Sequence, residues 1–218
     1  MKYTPYKWLD VGALCRRLLP ATDTINRIRY FTAIVKSDPS DPQKDQRQKL
    51  YIRALRTIPS ISIHEGHFLK TNVRMPLVNK PATGPRTVEV IKTEEKGSDV
   101  NLASWLLLDA HNQDFEQAII ASNDSDLATP LWMVKHHFSG VAGVWNPHSQ
   151  ATCDRAFKAH PGTRTKPRKA TPSFELKKVA KFQIVITSDG PSSDVALCQF
   201  PDTMSDTQGT LSKPSDWN

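Results

Sequence analysis

Apolar and polar positions alternate with a readable rhythm along most of the chain. Trp8, Val11, Leu14 and Leu18 recur at helical spacing before Pro20, whereas RIRYFTAIV at 27–35 alternates as a strand does. The first half therefore predicts, in chain order, a helix at 8–19, a strand at 27–35, a helix at 44–56, a strand at 61–69, a loop at 72–87 and a short strand at 88–91.

The rhythm is clearest from residue 100 onward. It predicts a helix at 100–111, a strand at 117–122, a helix at 127–138 and a strand at 140–145. Alternating strands and helices indicate right-handed crossovers and a parallel sheet, so the predicted fold class is α/β. Beyond Asn146 the pattern weakens: a basic linker precedes a predicted helix at 174–181, a short strand at 182–186 and an extended tail over the last twenty residues.

Composition is that of an ordinary globular protein. The 218 residues fit one domain with an appendage, and no run of about 18 apolar residues predicts a membrane span. The opening MKYTPYKWLD lacks the apolar core of a secretory signal. Three widely separated cysteines do not form a disulfide framework, so we expect a cytoplasmic protein.

Positive charge is concentrated in one segment. The net charge is +7, and 155–181 contains nine basic residues and one acidic residue, leaving 20 basic and 21 acidic residues elsewhere. Such a distribution is typical of a phosphate-binding surface, for which the candidate contacts are Arg164, Lys166, Arg168 and Lys169. A solvated insert that only keeps the protein soluble is the alternative.

Acidic residues follow two predicted strands. Asp99 lies just before one helix, and Asp124 and Asp126 come directly after the apolar strand AIIA. The carboxyl ends of parallel strands meet at one sheet edge, where carboxylates would repel one another unless a cation joined them. Oxygen ligands favour Mg²⁺ or Mn²⁺, which predicts metal-assisted phosphodiester hydrolysis. The alternative is that these short polar side chains only cap the helices that follow.

Other polar residues of the same two segments have predicted roles. Asn123 could orient a metal-bound water, and Lys96 and Ser122 could contact phosphate, although Lys96 is equally compatible with simple solvation. No nucleotide-binding glycine motif, HExxH or zinc-spaced cysteine pair is present. Ala128 departs from the pattern of haloacid-dehalogenase phosphatases two residues after their second aspartate.

The segments KGSDVNLA, IIASNDSDL and GVWNPH closely resemble the NYN domain family, PIN-like ribonucleases also described through LabA-like proteins. TPYKWLD, YFTAIV, RQKLYIRAL, IHEGHF and QFPD extend the resemblance over nearly the whole chain. It implies a Rossmann-like, PIN-type three-layer fold with a mainly parallel sheet. It also implies that Asp99, Asp124 and Asp126 bind Mg²⁺ or Mn²⁺, and that RNA is cut endonucleolytically.

One departure from the family concerns its first strand, which carries Asp-Gly-x-Asn and is normally central in the sheet. That motif does not occur here. Either the sequence is shortened at its start or the protein is a degraded relative. We favour the first because the remaining motifs are well kept, and we expect the neighbouring strands to have unpaired backbone groups.

These observations predict a nuclease domain at 1–148 and, at 149–218, a basic linker with an extension that packs on it. The leading hypothesis is a metal-dependent endoribonuclease. The alternatives are a catalytically degenerate RNA-binding or regulatory protein, and the toxin of a toxin–antitoxin pair with an antitoxin-like partner. RNA is the expected partner, membranes are not, and an open sheet edge is compatible with a homodimer.

Overall fold

The computed structural model describes residues 5–37, 39–138, 140–159, 170–171 and 173–217. The strands of this part of the chain are β1 (Ile28–Ile34), β2 (Ile61–Pro76), β3 (Thr87–Lys96), β4 (Gln117–Ala121), β5 (Val141–Asn146), β6 (Gln183–Val185), β7 (Thr203–Asp206) and β8 (Gly209–Ser212). Its α-helices are α1 (Val11–Leu18), α2 (Lys44–Leu55), α3 (Ser98–His111), α4 (Ala128–His137), α5 (Gln150–Ala159), α6 (Phe174–Val179) and α7 (Asp194–Leu197).

Six strands form two separate three-stranded sheets. In the first sheet, β1 pairs in parallel with β2, and β2 pairs antiparallel with β3. In the second sheet, β4, β5 and β6 are all parallel. The prediction of an α/β fold with mainly parallel strands is confirmed, but those strands are divided between two sheets. β6, from the predicted C-terminal extension, pairs with β5 of the predicted nuclease domain.

Helices cover the second sheet because their apolar stripes match its apolar strands. Leu106 of α3, Leu131 and Val134 of α4 and Leu176 of α6 are buried against β4 and β5, in a cluster that includes Ile120 and Val144. The apolar stripe of α1 packs on the other side of this sheet, with Leu14 near Trp145 and Ile186. A third cluster surrounds the fully buried Trp8 and includes Leu55 and Phe200.

A cavity of about 1150 Å³ lies between the two sheets. Residues of β1 and β4, each an edge strand of its own sheet, both line it. The segments that precede the two strands are joined by a hydrogen bond, which the Asn26 side chain donates to the Asp114 carbonyl at 2.7 Å. In the described part of the chain no strand pairing crosses this cavity, so side-chain contacts and flanking segments hold the sheets together.

A chain of ion pairs supplies part of the connection between the two sheets. Arg29 of β1 donates two hydrogen bonds to Asp109 of α3, at 2.7 Å from Nε and 2.6 Å from Nη2, and lies 4.0 Å from the ring centre of Trp105. Arg27 donates to Asp109 at 3.3 Å and to Asp114 at 3.1 Å. The first sheet is thereby fastened to the helix that covers the second.

Several sequence-based boundaries are wrong in an informative way. The predicted loop at 72–87 is confirmed only over 77–86, because β2 continues to Pro76 and β3 begins at Thr87. A helix, α5, occupies part of the predicted basic linker, and the predicted extended tail contains the antiparallel pair β7–β8. No described helix is long and apolar enough to cross a membrane.

Candidate functional site

Asp99 lies in the first turn of α3. The N-cap residue of this helix is Gly97, whose φ of 97° favours glycine, and no side chain caps the helix there. The capping interpretation therefore does not describe Asp99. Its carboxylate is solvent-exposed and, within the described residues, has no basic partner.

Asp124 and Asp126 lie in a short 3₁₀ turn that follows β4. The Asp124 side chain accepts a hydrogen bond from the Asp126 backbone N–H at 3.0 Å, and the Ser122 hydroxyl accepts one from the Asp124 N–H at 3.1 Å. Here the capping interpretation holds, and Ser122 is engaged in the same turn. Capping uses one Asp124 oxygen and leaves the other, together with both oxygens of the exposed Asp126, available.

The fold brings these acids into electrostatic contact. The pKa of the Asp99 carboxyl is raised above its ordinary value, mainly because partial burial removes hydration and further because neighbouring carboxylates repel its charged form. Those neighbours are Asp124, Glu95 and Asp126. The three predicted acids thus lie together, and Glu95 joins them although the sequence analysis did not select it.

The acidic cluster (Glu95, Asp99, Asp124 and Asp126) fits a hard divalent cation by its donor chemistry. No group of three His, Cys, Asp or Glu side chains in the described residues converges as closely as direct ligation would require. Mg²⁺ commonly uses one or two carboxylates and retains several waters. The residues present therefore fit a cation held by two carboxylates and its own waters, and do not form a closed cage.

Asn123 connects this site to Thr171 and Ser173, which lie within the basic segment 155–181. Its side-chain oxygen accepts from the Ser173 backbone N–H at 2.7 Å, and its amide nitrogen donates to the Thr171 carbonyl at 3.2 Å. Both ends of the amide are thus occupied by backbone, which makes Asn123 an anchor for Thr171 and Ser173 and leaves little of it to orient a water.

The predicted phosphate contacts have different outcomes. Lys96 forms an ion pair with Glu94 at 3.1 Å and remains 45% exposed, so its charge is partly neutralised. Arg164, Lys166, Arg168 and Lys169 lie outside the described residues. The described residues Thr171 and Ser173, which follow them in the sequence, are bound by Asn123, directly before Asp124.

One polar atom at the wall of the 1150 Å³ cavity has no partner. Trp145 is 4% exposed and lines this cavity, and its indole Nε1 has no hydrogen-bond partner among the described residues. A buried indole N–H usually finds an acceptor. Trp145 is therefore a residue of the cavity wall whose buried donor has no acceptor in the described part of the chain.

No protein-family model matches the chain. Over 240 aligned residues it is 28% identical to the protein named 6-hydroxy-3-succinoylpyridine 3-monooxygenase HspA of Pseudomonas putida, an alignment that covers all of this chain and 70% of that protein. Among solved structures it is similar to a protein of unknown function from Vibrio parahaemolyticus, with 13% identity and a TM-score of 0.42 over 83% of this chain and 88% of that chain.

Proposed function

We propose that the protein is a metal-dependent endoribonuclease with a PIN-like fold. The observation that carries this proposal is the acidic cluster at the carboxyl end of β4. The charged groups that act on the Asp99 carboxylate, among the described residues, are all acidic. Uncompensated negative charge of this kind costs free energy in the folded state, and a bound divalent cation would remove that cost.

Three of the four members of the cluster have a distinct task in this proposal. Asp99 and Asp126 provide exposed carboxylate oxygens, and Asp124 provides one oxygen while its other holds the turn in place. When bound, the cation supplies Lewis-acid polarisation of the phosphodiester and a more acidic water. The basic residues that precede Thr171 in the sequence would contact the substrate phosphates, since Asn123 binds Thr171 and Ser173 beside Asp124.

The cavity supports the PIN-like part of the proposal. Strand spacings of ~3.3, ~4.8 and ~10 Å give about 160 Å³ per residue of strand. The cavity of about 1150 Å³ therefore has room for a strand of about seven residues between β1 and β4. The NYN resemblance calls for such a strand, with Asp-Gly-x-Asn, at the centre of the sheet.

The test is Mn²⁺-stimulated RNA cleavage by the wild type and by Asp124→Asn. Asparagine preserves the cap but removes the negative charge, so cleavage should fall by orders of magnitude while the fold is retained. Asp202→Asn is the matched control, because Asp202 is 84% exposed and pairs only loosely with Lys213 at 3.7 Å. Equal cleavage by the wild type and Asp124→Asn would exclude the assignment.

The relative favours a second candidate. HspA is named as a monooxygenase of a substituted pyridine, and the alignment spans this whole chain. In this alternative the 1150 Å³ cavity would take the aromatic ring, with the Trp145 N–H donating to one of its polar substituents. Calorimetric binding of 6-hydroxy-3-succinoylpyridine, lost in Trp145→Phe, together with no RNA cleavage, would favour it over the nuclease.

A further inference from the structure

A two-stranded ribbon projects from the first sheet. β2 and β3 pair over ten positions, from His67 with Lys96 to Pro76 with Thr87, whereas the pairing of β2 with β1 ends at His67. The ribbon, defined as residues 67–96, is exposed over most of its length, with Val78 97% and Ile91 73% accessible. A two-stranded hairpin is marginally stable alone in water, so this one is suited to contact a partner.

The distal ribbon is strongly basic. Residues 69–93 contain five basic residues and one acidic residue, a local net charge of +4. Lys92 pairs with Glu94, but the described residues place no carboxylate within ion-pair distance of the four others, which are Lys70, Arg74, Lys80 and Arg86. Lys70 and Arg74 share one face of β2 because side chains alternate along a strand.

The basic surface continues at the foot of the ribbon. A recess of about 310 Å³ is bordered by three lysines, Lys36, Lys44 and Lys70, and by no acidic residue. None of these lysines is ion-paired within the described part of the chain. An anionic chain lying on the ribbon would therefore meet further unpaired cations where the ribbon joins the sheet.

The root of the ribbon is also the edge of the acidic cluster. β3 ends at Lys96, Gly97 turns the chain, and Asp99 follows in the first turn of α3. Gly66 of β2 lies so close to the Lys96 carbonyl that a Cβ there would come within 2.7 Å of it, which keeps the root of the ribbon close to α3. A strand bound along the ribbon is thus led toward Asp99.

We propose that the ribbon and its lysine recess bind the phosphate backbone of RNA and direct it to the acidic cluster, an inference that rests on the proposed nuclease function. Phosphates would neutralise cations spaced along the whole ribbon. A protein partner that covered the ribbon would have to bury those unpaired cations, which is costly unless it supplied matching acids.

The test compares two sets of four substitutions that remove the same charge. The ribbon variant is Lys70→Ala/Arg74→Ala/Lys80→Ala/Arg86→Ala. The control variant is Arg16→Ala/Arg17→Ala/Lys49→Ala/Arg56→Ala, whose side chains are 43–66% exposed and lie on other elements. Binding of a fluorescent 20-nucleotide single-stranded RNA is followed by anisotropy, in EDTA so that no cleavage occurs, over a range of salt concentrations.

Each phosphate contact contributes about 0.7 to the slope of log affinity against log salt for single strands. The ribbon variant should therefore lose about 3 from the slope and, with its affinity at 1 M salt unchanged, about 600-fold in affinity at 0.1 M salt. The control variant should keep the wild-type slope. Circular dichroism checks the fold of each variant. The loop variant Lys80→Ala/Arg86→Ala leaves both strands intact and should show about half of the decrease in slope that the ribbon variant shows.

Equal losses in the two variants would overturn the proposal, because net charge alone would then explain binding. Absence of RNA binding by the wild type would also overturn it. A wild-type dimer that dissociates when Ile91→Lys is introduced would overturn it too, because the ribbon would then be a contact between protein chains. The nuclease proposal fails separately: ribbon-dependent RNA binding without Mn²⁺-stimulated cleavage leaves the RNA contact standing and removes the catalytic role of the cluster.

Discussion

Asp109→Ala removes the carboxylate that fastens β1 to α3 across the edge of the 1150 Å³ cavity. Asp109 and Arg29 are each 14% exposed and share two short hydrogen bonds, and Arg27 shares the same carboxylate. Removing one partner of a buried pair costs about 3–5 kcal/mol, because the other charge is left unpaired. Residual exposure lowers our expectation to about 2–3 kcal/mol.

Thermal unfolding followed by circular dichroism measures this loss. For a chain of this size each kcal/mol shifts Tm by about 2–4 °C, so Asp109→Ala should lower it by roughly 4–12 °C. Asp45→Ala is the control, since Asp45 pairs at 3.1 Å with Lys49, an exposed side chain on the same helix, and should leave Tm almost unchanged.

A double variant separates lost attraction from unpaired charge. Arg29→Met/Asp109→Leu replaces both members with apolar side chains beside Trp105 and should recover most of the stability, as apolar replacements of buried pairs often do. A Tm for Asp109→Ala no lower than that of the Asp45→Ala control would refute the reasoning, because the pair would then not hold the two sheets together.

Two further predictions concern the acidic cluster and the second sheet. The folded-state pKa of Asp99 is raised above its ordinary 3.8, so its favourable contribution is present below that pH and is lost as pH rises through the raised value. Asp99→Asn should therefore flatten the fall, with rising pH, in the free energy of unfolding measured in urea. It should also remove the ~2.7 kcal/mol of stabilisation expected from Mn²⁺ at 100 times its Kd. An unchanged pH profile and an unchanged response to Mn²⁺ would contradict the placement of Asp99 in a metal site. Gly143→Ala on β5 places a methyl group against the Phe182 ring, and should cost about 1–3 kcal/mol in urea unfolding unless that ring has room to move.

Elements with an apolar face were predictable from the sequence. The bounds of β1, α2 and β4 lie within two residues of the predicted ones. One side of each packs against a buried cluster, so its apolar residues recur at the spacing of a strand or a helix. The far part of the ribbon was missed for the converse reason. Residues 70–76 are mostly exposed, so the alternation of a half-buried strand is absent there, and Pro76 and Pro81 favoured a loop. The helix α5 is mostly half-buried and was missed because the basic residues that follow it favoured a linker.

The acidic cluster could be predicted only in part. Asp99, Asp124 and Asp126 follow strand ends as predicted, but β3 is an antiparallel strand of the first sheet and β4 belongs to the second. The packing of α3 against the turn after β4, and not a shared edge of one parallel sheet, brings them together. Glu95 lies within β3 and joins the cluster only because the long β2–β3 pairing places it there. The basic ribbon escaped notice because its charges cancel against acids elsewhere in the sum over the chain, and only the fold separates them in space.

The gap between β1 and β4 bears on how cooperatively the protein unfolds. A continuous sheet transmits order through its hydrogen-bond ladder. Among the described residues that ladder is interrupted, and side chains and flanking segments bridge the two halves. Local opening follows such weak connections, so each three-stranded half can behave as its own foldon. Backbone amides of β1 and β4 that face the gap would exchange with solvent long before those in the middle of either half, and the molecule would come apart first along this line.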